Sequence, residues 1–170
     1  MASVHITIIA VGKLKERFWK EAIAEYSKRL GSFCKLEVRE VTDRDPAMYS
    51  GQQKALEKEA QDIIKIFEKL GVSNKGTASV STCCIACAIE GKMRSSEDFA
   101  SRIDKLMSSG TSHFIFIIGA SAGIDKSVYD YVNETLSFGK ITLPHNLARV
   151  VLFEQLYRAF KIINGQPYHK

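Results

Sequence analysis

The run Phe114-Ile-Phe-Ile-Ile118, followed by Gly119-Ala-Ser-Ala-Gly123, determines the fold class of this 170-residue chain. Five consecutive apolar residues of strand length are typical of a strand buried on both faces of a parallel sheet. The small residues after it indicate a turn, and residues 125–136 are predicted to form the next helix. A buried strand that leads through a glycine turn into a helix indicates an α/β architecture.

Strands and helices alternate along the rest of the chain. Apolar and polar residues predict strands over 4–11, 34–41 and 80–89, and helices over 14–30, 52–70, 95–107 and 146–163. In the first of these helices Phe18, Ala22, Ile23, Tyr26 and Leu30 fall on the side predicted to face the core. The pattern predicts a single α/β domain over residues 1–170, with a mostly parallel sheet.

Composition and charge narrow the function only slightly. The net charge of +5 agrees with a polyanionic partner such as RNA, but many basic proteins bind no nucleic acid. No apolar run approaches the roughly 18 residues of a membrane span. The apolar residues 6–11 are too few for a secretory signal. We therefore expect a cytoplasmic protein with reduced thiols and no membrane partner.

Cys84 and Cys87 have the CxxC spacing of some redox and zinc sites. They fall within a predicted strand, however, where residues three apart point to opposite faces. A second cysteine pair that could complete four zinc ligands is also missing from the sequence. We predict that these cysteines are small buried hydrophobic residues and that the protein holds no metal.

Two predicted strands end in glycine-containing segments, namely residues 118–123 and Ala88-Ile-Glu-Gly-Lys92. Ligands of open α/β sheets bind outside the carboxyl ends of the strands, so the two segments could border one pocket. Residues 118–123 lack the G-x-G-x-x-G order of dinucleotide folds and the lysine of a P-loop. On spacing alone, a ligand site and a pair of tight turns both remain open.

The last helix and the tail contain a further group of candidates. Apolar residues cover nearly all sides of the helix at 146–163, which indicates burial in the core or between subunits. Glu154 and Arg158 are four residues apart, so they form an ion pair or leave Arg158 to contact phosphate or a carboxylate. The tail Pro167-Tyr-His-Lys170 is either frayed or able to stack on a base, move a proton and meet a phosphate.

Motifs along nearly the whole chain resemble the ribosomal large subunit methyltransferase H family, of the SPOUT class. They occur in the same order as in that family: Ile8-Ile-Ala-Val-Gly-Lys-Leu-Lys15, Ala24-Glu-Tyr-Ser-Lys-Arg-Leu30, Ile89-Glu-Gly-Lys92, Phe116-Ile-Ile-Gly119, Leu136-Ser-Phe138, Leu143-Pro-His145, Arg149-Val150, Glu154-Gln-Leu-Tyr-Arg-Ala-Phe160 and Pro167-Tyr-His-Lys170. The resemblance implies a SPOUT-type domain with a trefoil knot over about residues 114–170. It also implies a homodimer formed through the C-terminal helix.

The same resemblance implies an activity and a set of site residues. The expected reaction transfers a methyl group from S-adenosylmethionine to N3 of a pseudouridine in 23S rRNA of the assembled ribosome. By position, the cofactor is expected to contact Cys87, Gly119, Phe138, Gly139, Lys140, Ile141, Thr142 and Leu143. Tyr168, His169 and Arg158 are expected to serve the RNA chemistry, with His169 as the proton acceptor.

Two positions depart from the family pattern. Ala88 stands where an acidic residue is common, and Ala120 stands where a second glycine is usual. If residue 120 required a positive φ, alanine would cost about 1 kcal/mol and weaken cofactor binding. These departures keep open a non-catalytic module that binds RNA or the ribosome. A SPOUT methyltransferase that acts on another RNA, such as tRNA, is the other alternative.

Overall fold

A computed structural model describes residues 3–74 and 81–168 of the protein. One sheet contains five parallel strands in the order β2-β1-β4-β3-β5. The strands are β1 (His5–Val11), β2 (Lys35–Val41), β3 (Thr82–Cys87), β4 (His113–Ile118) and β5 (Glu134–Leu136). The helices are α1 (Arg17–Leu30), α2 (Gln52–Lys69), α3 (Ser96–Ser108) and α4 (His145–Ile163), with short 3-10 helices at Pro46–Met48 and Lys126–Tyr131. The predicted single α/β domain with a parallel sheet is confirmed.

The central strand β4 is buried on both faces, as its continuous apolar run predicts. Phe114 and Phe116 belong to one core, which β4 shares with α1, α3 and α4. Ile115 and Ile117 belong to a second core on the opposite face, where α2 packs. The sheet is therefore a middle layer between helices, which cover both of its faces and leave its strand ends open to ligands. No helix in the described part of the chain is long and apolar enough to cross a membrane.

The cysteines of β3 point alternately to the two cores. Cys84 belongs to the core beneath α2, whereas Cys83 and Cys87 pack on the opposite side. The predicted separation of Cys84 from Cys87 is confirmed, so the two thiols cannot share a ligand. Burial raises the pKa of Cys84 to about 12, which keeps its thiol protonated at neutral pH. Within the described ranges no three His, Cys, Asp or Glu side chains are grouped to hold a metal ion.

The helix predicted over residues 125–136 is wrong. Lys126–Tyr131 forms only a 3-10 helix, and Glu134–Leu136 forms β5 at the edge of the sheet, paired with β3. Two hydrogen bonds hold Asn133 at this edge. Its backbone N–H donates to the Cys84 carbonyl at 2.8 Å, and its side-chain oxygen accepts from the Cys84 N–H at 2.8 Å. These tertiary hydrogen bonds override the local helical spacing.

Phe18 also departs from its prediction. Helix α1 begins at Arg17, three residues later than expected, so Phe18 lies in its first turn. Its side chain is 60% exposed and its ring contacts Trp19 instead of the core. The ends of the other predicted elements shift by a few residues. Residues 75–80, which include the first residue of the strand predicted over 80–89, lie outside the described part of the chain.

Helix α4 is fixed on the sheet by Arg149, whose side chain is only 2% exposed. Its guanidinium donates one hydrogen bond to the Gly12 carbonyl at 2.9 Å and another to Glu40 Oε2 at 3.0 Å. Gly12 follows β1 and Glu40 lies in β2, so one side chain joins α4 to two neighbouring strands. Because a buried charge is stable only with such partners, α4 has little freedom to shift.

We predict that Arg149→Met lowers the free energy of unfolding by about 2–4 kcal/mol, because it leaves the Gly12 carbonyl without its donor and removes the contact to Glu40. Urea denaturation measures this change. Arg17→Met is the matched control, since it removes another Arg–Glu pair whose arginine side chain is 89% exposed. The control should change stability by less than about 1 kcal/mol. Equal losses in the two variants would contradict the structural role of Arg149.

Candidate functional site

A cavity of about 490 Å³ lies beyond the carboxyl ends of β3 and β4. Small-molecule sites have volumes of roughly 300–1,000 Å³. One wall consists of residues that follow the two strands, including Ala88, Ile89, Gly119 and Ala120. The loop between β5 and α4 forms the other wall. The two glycine-containing strand ends therefore border one cavity.

Most of the residues assigned to the cofactor by resemblance converge on this cavity. Its lining includes Cys87, Gly119, Phe138, Gly139, Ile141, Thr142 and Leu143. Lys140 is not among the lining residues, and its side chain is exposed. Ser121, in the predicted segment 118–123, also lines the cavity, as do Pro144, His145 and Ala148, which are not among the residues expected from the sequence to do so. His145 and Ala148 lie in the first turn of a helix, and nothing in the sequence at those positions indicates that they line a cavity.

The glycine at position 119 is required by a close approach of two backbone segments. A methyl group at this position would overlap the carbonyl group of Gly123 and lie 2.8 Å from the Ile124 side chain. The turn is closed by a hydrogen bond from the Gly123 N–H to the Ala120 carbonyl at 2.9 Å. Ala120 does not have a positive φ, so the strain considered for this alanine is absent.

Ser137 holds the loop that forms the other cavity wall. Its hydroxyl donates to the Ile89 carbonyl at 2.7 Å and accepts from the Gly139 N–H at 3.1 Å. Its backbone N–H donates to the Lys92 carbonyl at 3.0 Å. Gly139 has a φ of +113°, a backbone conformation that residues with a side chain rarely adopt. These bonds connect the loop after β5 to the segment after β3, so the two walls keep a constant separation.

The cavity wall is largely apolar. Ile89, Ile118, Phe138, Ile141 and Leu143 supply aliphatic and aromatic surface. Position 88 contributes only a methyl group, and burial raises the pKa of the Cys87 thiol to about 12. Apolar walls of this kind, with backbone N–H and C=O groups as polar contacts, are typical of small-molecule sites.

His145 lies where the cavity meets the start of α4. Its ring fills the space in which a side chain on residue 12 would lie, because an added Cβ there would be 2.9 Å from Cε1. Its Nδ1 atom is buried and has no hydrogen-bond partner among the described residues. The ring thus packs the junction between β1, α4 and the cavity.

Two of the predicted catalytic residues, Arg158 of α4 and Tyr168 of the tail, form a separate network with Glu154. Arg158 donates to Glu154 Oε1 from Nε at 2.9 Å and from Nη2 at 2.7 Å, so the ion-pair interpretation of these residues is confirmed. The Tyr168 hydroxyl donates to Glu154 Oε2 at 2.5 Å, and Arg158 Cζ lies 3.5 Å from the centre of the Tyr168 ring. The tail is therefore placed against α4 up to Tyr168. His169 lies outside the described residues.

This network sets the protonation of its members. Burial, together with the hydrogen bond to Glu154, raises the pKa of Tyr168 to about 12. Burial alone would lower the pKa of Arg158, but the interaction with Glu154 outweighs it and the pKa is raised. At neutral pH Tyr168 is thus a hydrogen-bond donor and Arg158 is a cation. Neither group is suited to accept a proton.

Within one chain, the structure does not bring Arg158 and Tyr168 together with the residues assigned to the cofactor. Neither Arg158 nor Tyr168 is among the described residues that line the cavity. The cavity offers apolar side chains and backbone groups that a ligand could contact. The cation Arg158 and the hydrogen-bond donor Tyr168 lie elsewhere, beside Glu154 of α4.

A parallel α/β sheet with a ligand-sized cavity outside its strand ends has the arrangement in which open-sheet proteins bind small molecules. A family model described as "Predicted SPOUT methyltransferase" matches residues 4–169. The chain therefore belongs to the SPOUT methyltransferase family. Methyltransferases of this family use S-adenosylmethionine.

We predict that Gly119→Ala weakens the binding of S-adenosylmethionine at least about tenfold, because the added methyl group forces the turn at residues 119–123 to move into the cavity. Isothermal calorimetry measures the affinity. Ala120→Gly is the control, since an unstrained alanine there gains little from replacement, and its affinity should stay within about twofold of the original. Full affinity in Gly119→Ala would show that the cofactor does not use this turn.

Proposed function

We propose that the protein transfers a methyl group from S-adenosylmethionine to N3 of a pseudouridine in 23S rRNA of the assembled ribosome. Membership of the SPOUT methyltransferase family supports S-adenosylmethionine-dependent methylation of RNA. The convergence of the residues assigned to the cofactor on one cavity carries the proposal. The motifs from residue 143 to the end support the choice of substrate, because they are the most specific part of the resemblance.

In this proposal the cavity binds and orients the methyl donor. When bound, S-adenosylmethionine supplies an electrophilic methyl group. The apolar side chains of Ile118, Phe138 and Leu143 hold the adenine, and backbone groups of residues 138–143 meet its polar edge. Lys140 contributes through its backbone, since its side chain is exposed. Orientation of the two reactants supplies much of the rate.

The RNA chemistry needs a group that removes the N3 proton and groups that stabilise the resulting charge. We assign the first role to His169, because an imidazole accepts a proton near neutral pH. Arg158 supplies positive charge, and Tyr168, whose O–H donates to Glu154, supplies an aromatic ring that can stack on a base. Helix α4 and the tail thus combine a cation, an aromatic ring and a proton acceptor.

The separation of the tail from the cavity of the same chain supports a homodimer in which each tail serves the partner's cofactor. One side of α4 packs within the domain, while Leu147, Val150 and Val151 on the same helix are only half-buried. Ile89 and Ile141, which line the cavity, are 52% and 79% exposed. A second copy that covers these residues would bury apolar area and close the cavity.

The knot, the extent of the domain and the compartment are proposed from the family resemblance. Residues from about 114 to 170 form the trefoil knot, and the whole chain from 1 to 170 acts as one catalytic domain. A ribosomal substrate places the reaction in the cytoplasm. Ala120 is unstrained, so the alanine at this position is no longer a reason to regard the chain as a non-catalytic module.

The proposed substrate is tested by incubating the protein and labelled S-adenosylmethionine with 70S ribosomes, separate subunits and tRNA. We expect label in assembled ribosomes, and mass mapping should locate it on N3 of a 23S rRNA pseudouridine. Label in tRNA alone would replace this substrate with another RNA. If calorimetry detected no binding of S-adenosylmethionine at millimolar concentration, the non-catalytic module would be the better interpretation.

We predict that His169→Ala lowers the turnover number at saturating ribosomes by roughly 10²–10⁴-fold, because it removes the proton acceptor. Methyl transfer under multiple-turnover conditions measures this loss. Calorimetry provides the control, since the variant should bind S-adenosylmethionine with unchanged affinity. An unchanged turnover number would reject His169 as the base, whatever its effect on ribosome binding.

A further inference from the structure

A second depression, the basic groove, lies beside the edge strand β5. It is polar and open to solvent. Four cationic and two acidic side chains line it, which leaves a local charge of +2: Lys92, Arg94, Arg102, Lys105, Asp98 and Glu134. Such an excess on one surface attracts polyanions.

Three elements build the basic groove. Asp98, Arg102 and Lys105 lie on one face of α3, since they are spaced four and three residues apart. Lys92 and Arg94 belong to the segment between β3 and α3. Because β5 is the last strand of the sheet, the groove runs along an edge that is not covered by another described strand.

One carboxylate holds both arginines of the groove in place. Glu134 Oε1 accepts a hydrogen bond from Arg102 Nε at 2.7 Å, and Glu134 Oε2 lies 3.5 Å from Arg94 Nη2. Arg94 and Glu134 are mostly buried, with side chains 16% and 19% exposed. A single negative charge cannot neutralise two guanidinium groups, so the pair retains positive charge in a preorganised position.

The two lysines add charge that no internal carboxylate compensates. Lys92 and Lys105 are exposed, and neither forms an ion pair with a residue in the described ranges. Flexible ammonium groups of this kind contact phosphates without a fixed geometry. An open groove with two held arginines and two flexible lysines suits a chain of phosphates better than one enclosed anion.

The basic groove continues toward the cofactor cavity. Arg94 also lines an adjoining depression whose wall includes Phe138 and Gly139. Both of these residues line the cofactor cavity as well. A polymer bound along the groove would therefore pass close to the cavity in which the methyl donor is expected.

We propose that the basic groove binds the sugar-phosphate backbone of the RNA substrate beside the nucleotide that enters the cavity. This assignment rests on the proposed function, because it takes the polyanion to be the methylated RNA. An acidic protein surface has the same sign of charge, but the continuity with a methyl-transfer cavity favours RNA. Phosphate contacts of this type position the RNA and do not read its sequence.

The test compares two double variants with equal loss of charge. Lys92→Gln with Lys105→Gln removes the flexible lysines of the groove and leaves the arginines that Glu134 holds. Lys65→Gln with Lys69→Gln is the matched control, because both lysines are exposed on α2, on the opposite face of the sheet. Each variant is assayed for binding to protein-free 23S rRNA at several salt concentrations, and for methylation of 70S ribosomes.

We expect the groove variant to bind the rRNA on the order of tenfold more weakly at physiological salt. The slope of log affinity against log salt should fall by about 1.4 to 1.8, because two phosphate contacts are lost. The KM for ribosomes should rise by a similar factor, while the turnover number and the affinity for S-adenosylmethionine stay unchanged. The control should differ from the unmodified protein by less than about threefold.

Other results separate the two proposals. Groove and control variants with equal affinity and equal salt slope would overturn the basic groove as an RNA site, even if ribosomes are methylated. A raised KM for ribosomes with unchanged binding of protein-free rRNA would also overturn it and would indicate contact with a ribosomal protein. Conversely, groove-dependent rRNA binding without methylation of any RNA would support the groove and overturn the proposed activity.

Discussion

The buried guanidinium of Arg149 is the interaction on which the arrangement of the functional parts depends. It joins α4 to the backbone after β1 and to Glu40 of β2. Helix α4 in turn carries the cavity loop at its amino end and the Glu154 network near its carboxyl end. A charge with so little exposure cannot move away from its partners without a large desolvation cost. The position of α4 on the sheet therefore determines where the cavity loop and the Glu154 network lie.

The cavity is built mainly from backbone and small side chains. Gly119 lets two segments of the turn after β4 approach each other, and Ser137 connects the loop after β5 to the segment after β3. Backbone groups held in this way are fixed in direction before a ligand arrives, so binding loses little conformational entropy. Apolar side chains such as Phe138 and Leu143 complete the wall. The polar groups that a ligand would meet in this cavity therefore come mainly from the backbone.

Electrostatic organisation follows one principle at two places. Glu154 accepts hydrogen bonds from Arg158 and Tyr168, and Glu134 contacts Arg94 and Arg102. In each case a partly buried carboxylate holds cationic or donor groups in a defined position. Around Glu134 the positive charge exceeds the negative charge, whereas around Glu154 the charges of the ion pair balance. The first arrangement suits attraction of a polyanion, and the second holds Tyr168 against α4.

The α/β class and the faces of the core strands follow from local patterns in the sequence. A continuous run such as 114–118 is stable only when both of its faces are buried, and the twofold period of a strand separates Cys84 from Cys87. The family resemblance pointed to seven of the residues that line the cavity. That Glu134–Leu136 is a strand could not be read from the sequence, because three residues acquire that conformation by pairing with β3. The partners of Arg149 were likewise invisible, since its bond to Gly12 joins residues 137 positions apart. Local spacing determines which face of an element is apolar, whereas hydrogen bonds between distant residues depend on how the elements pack.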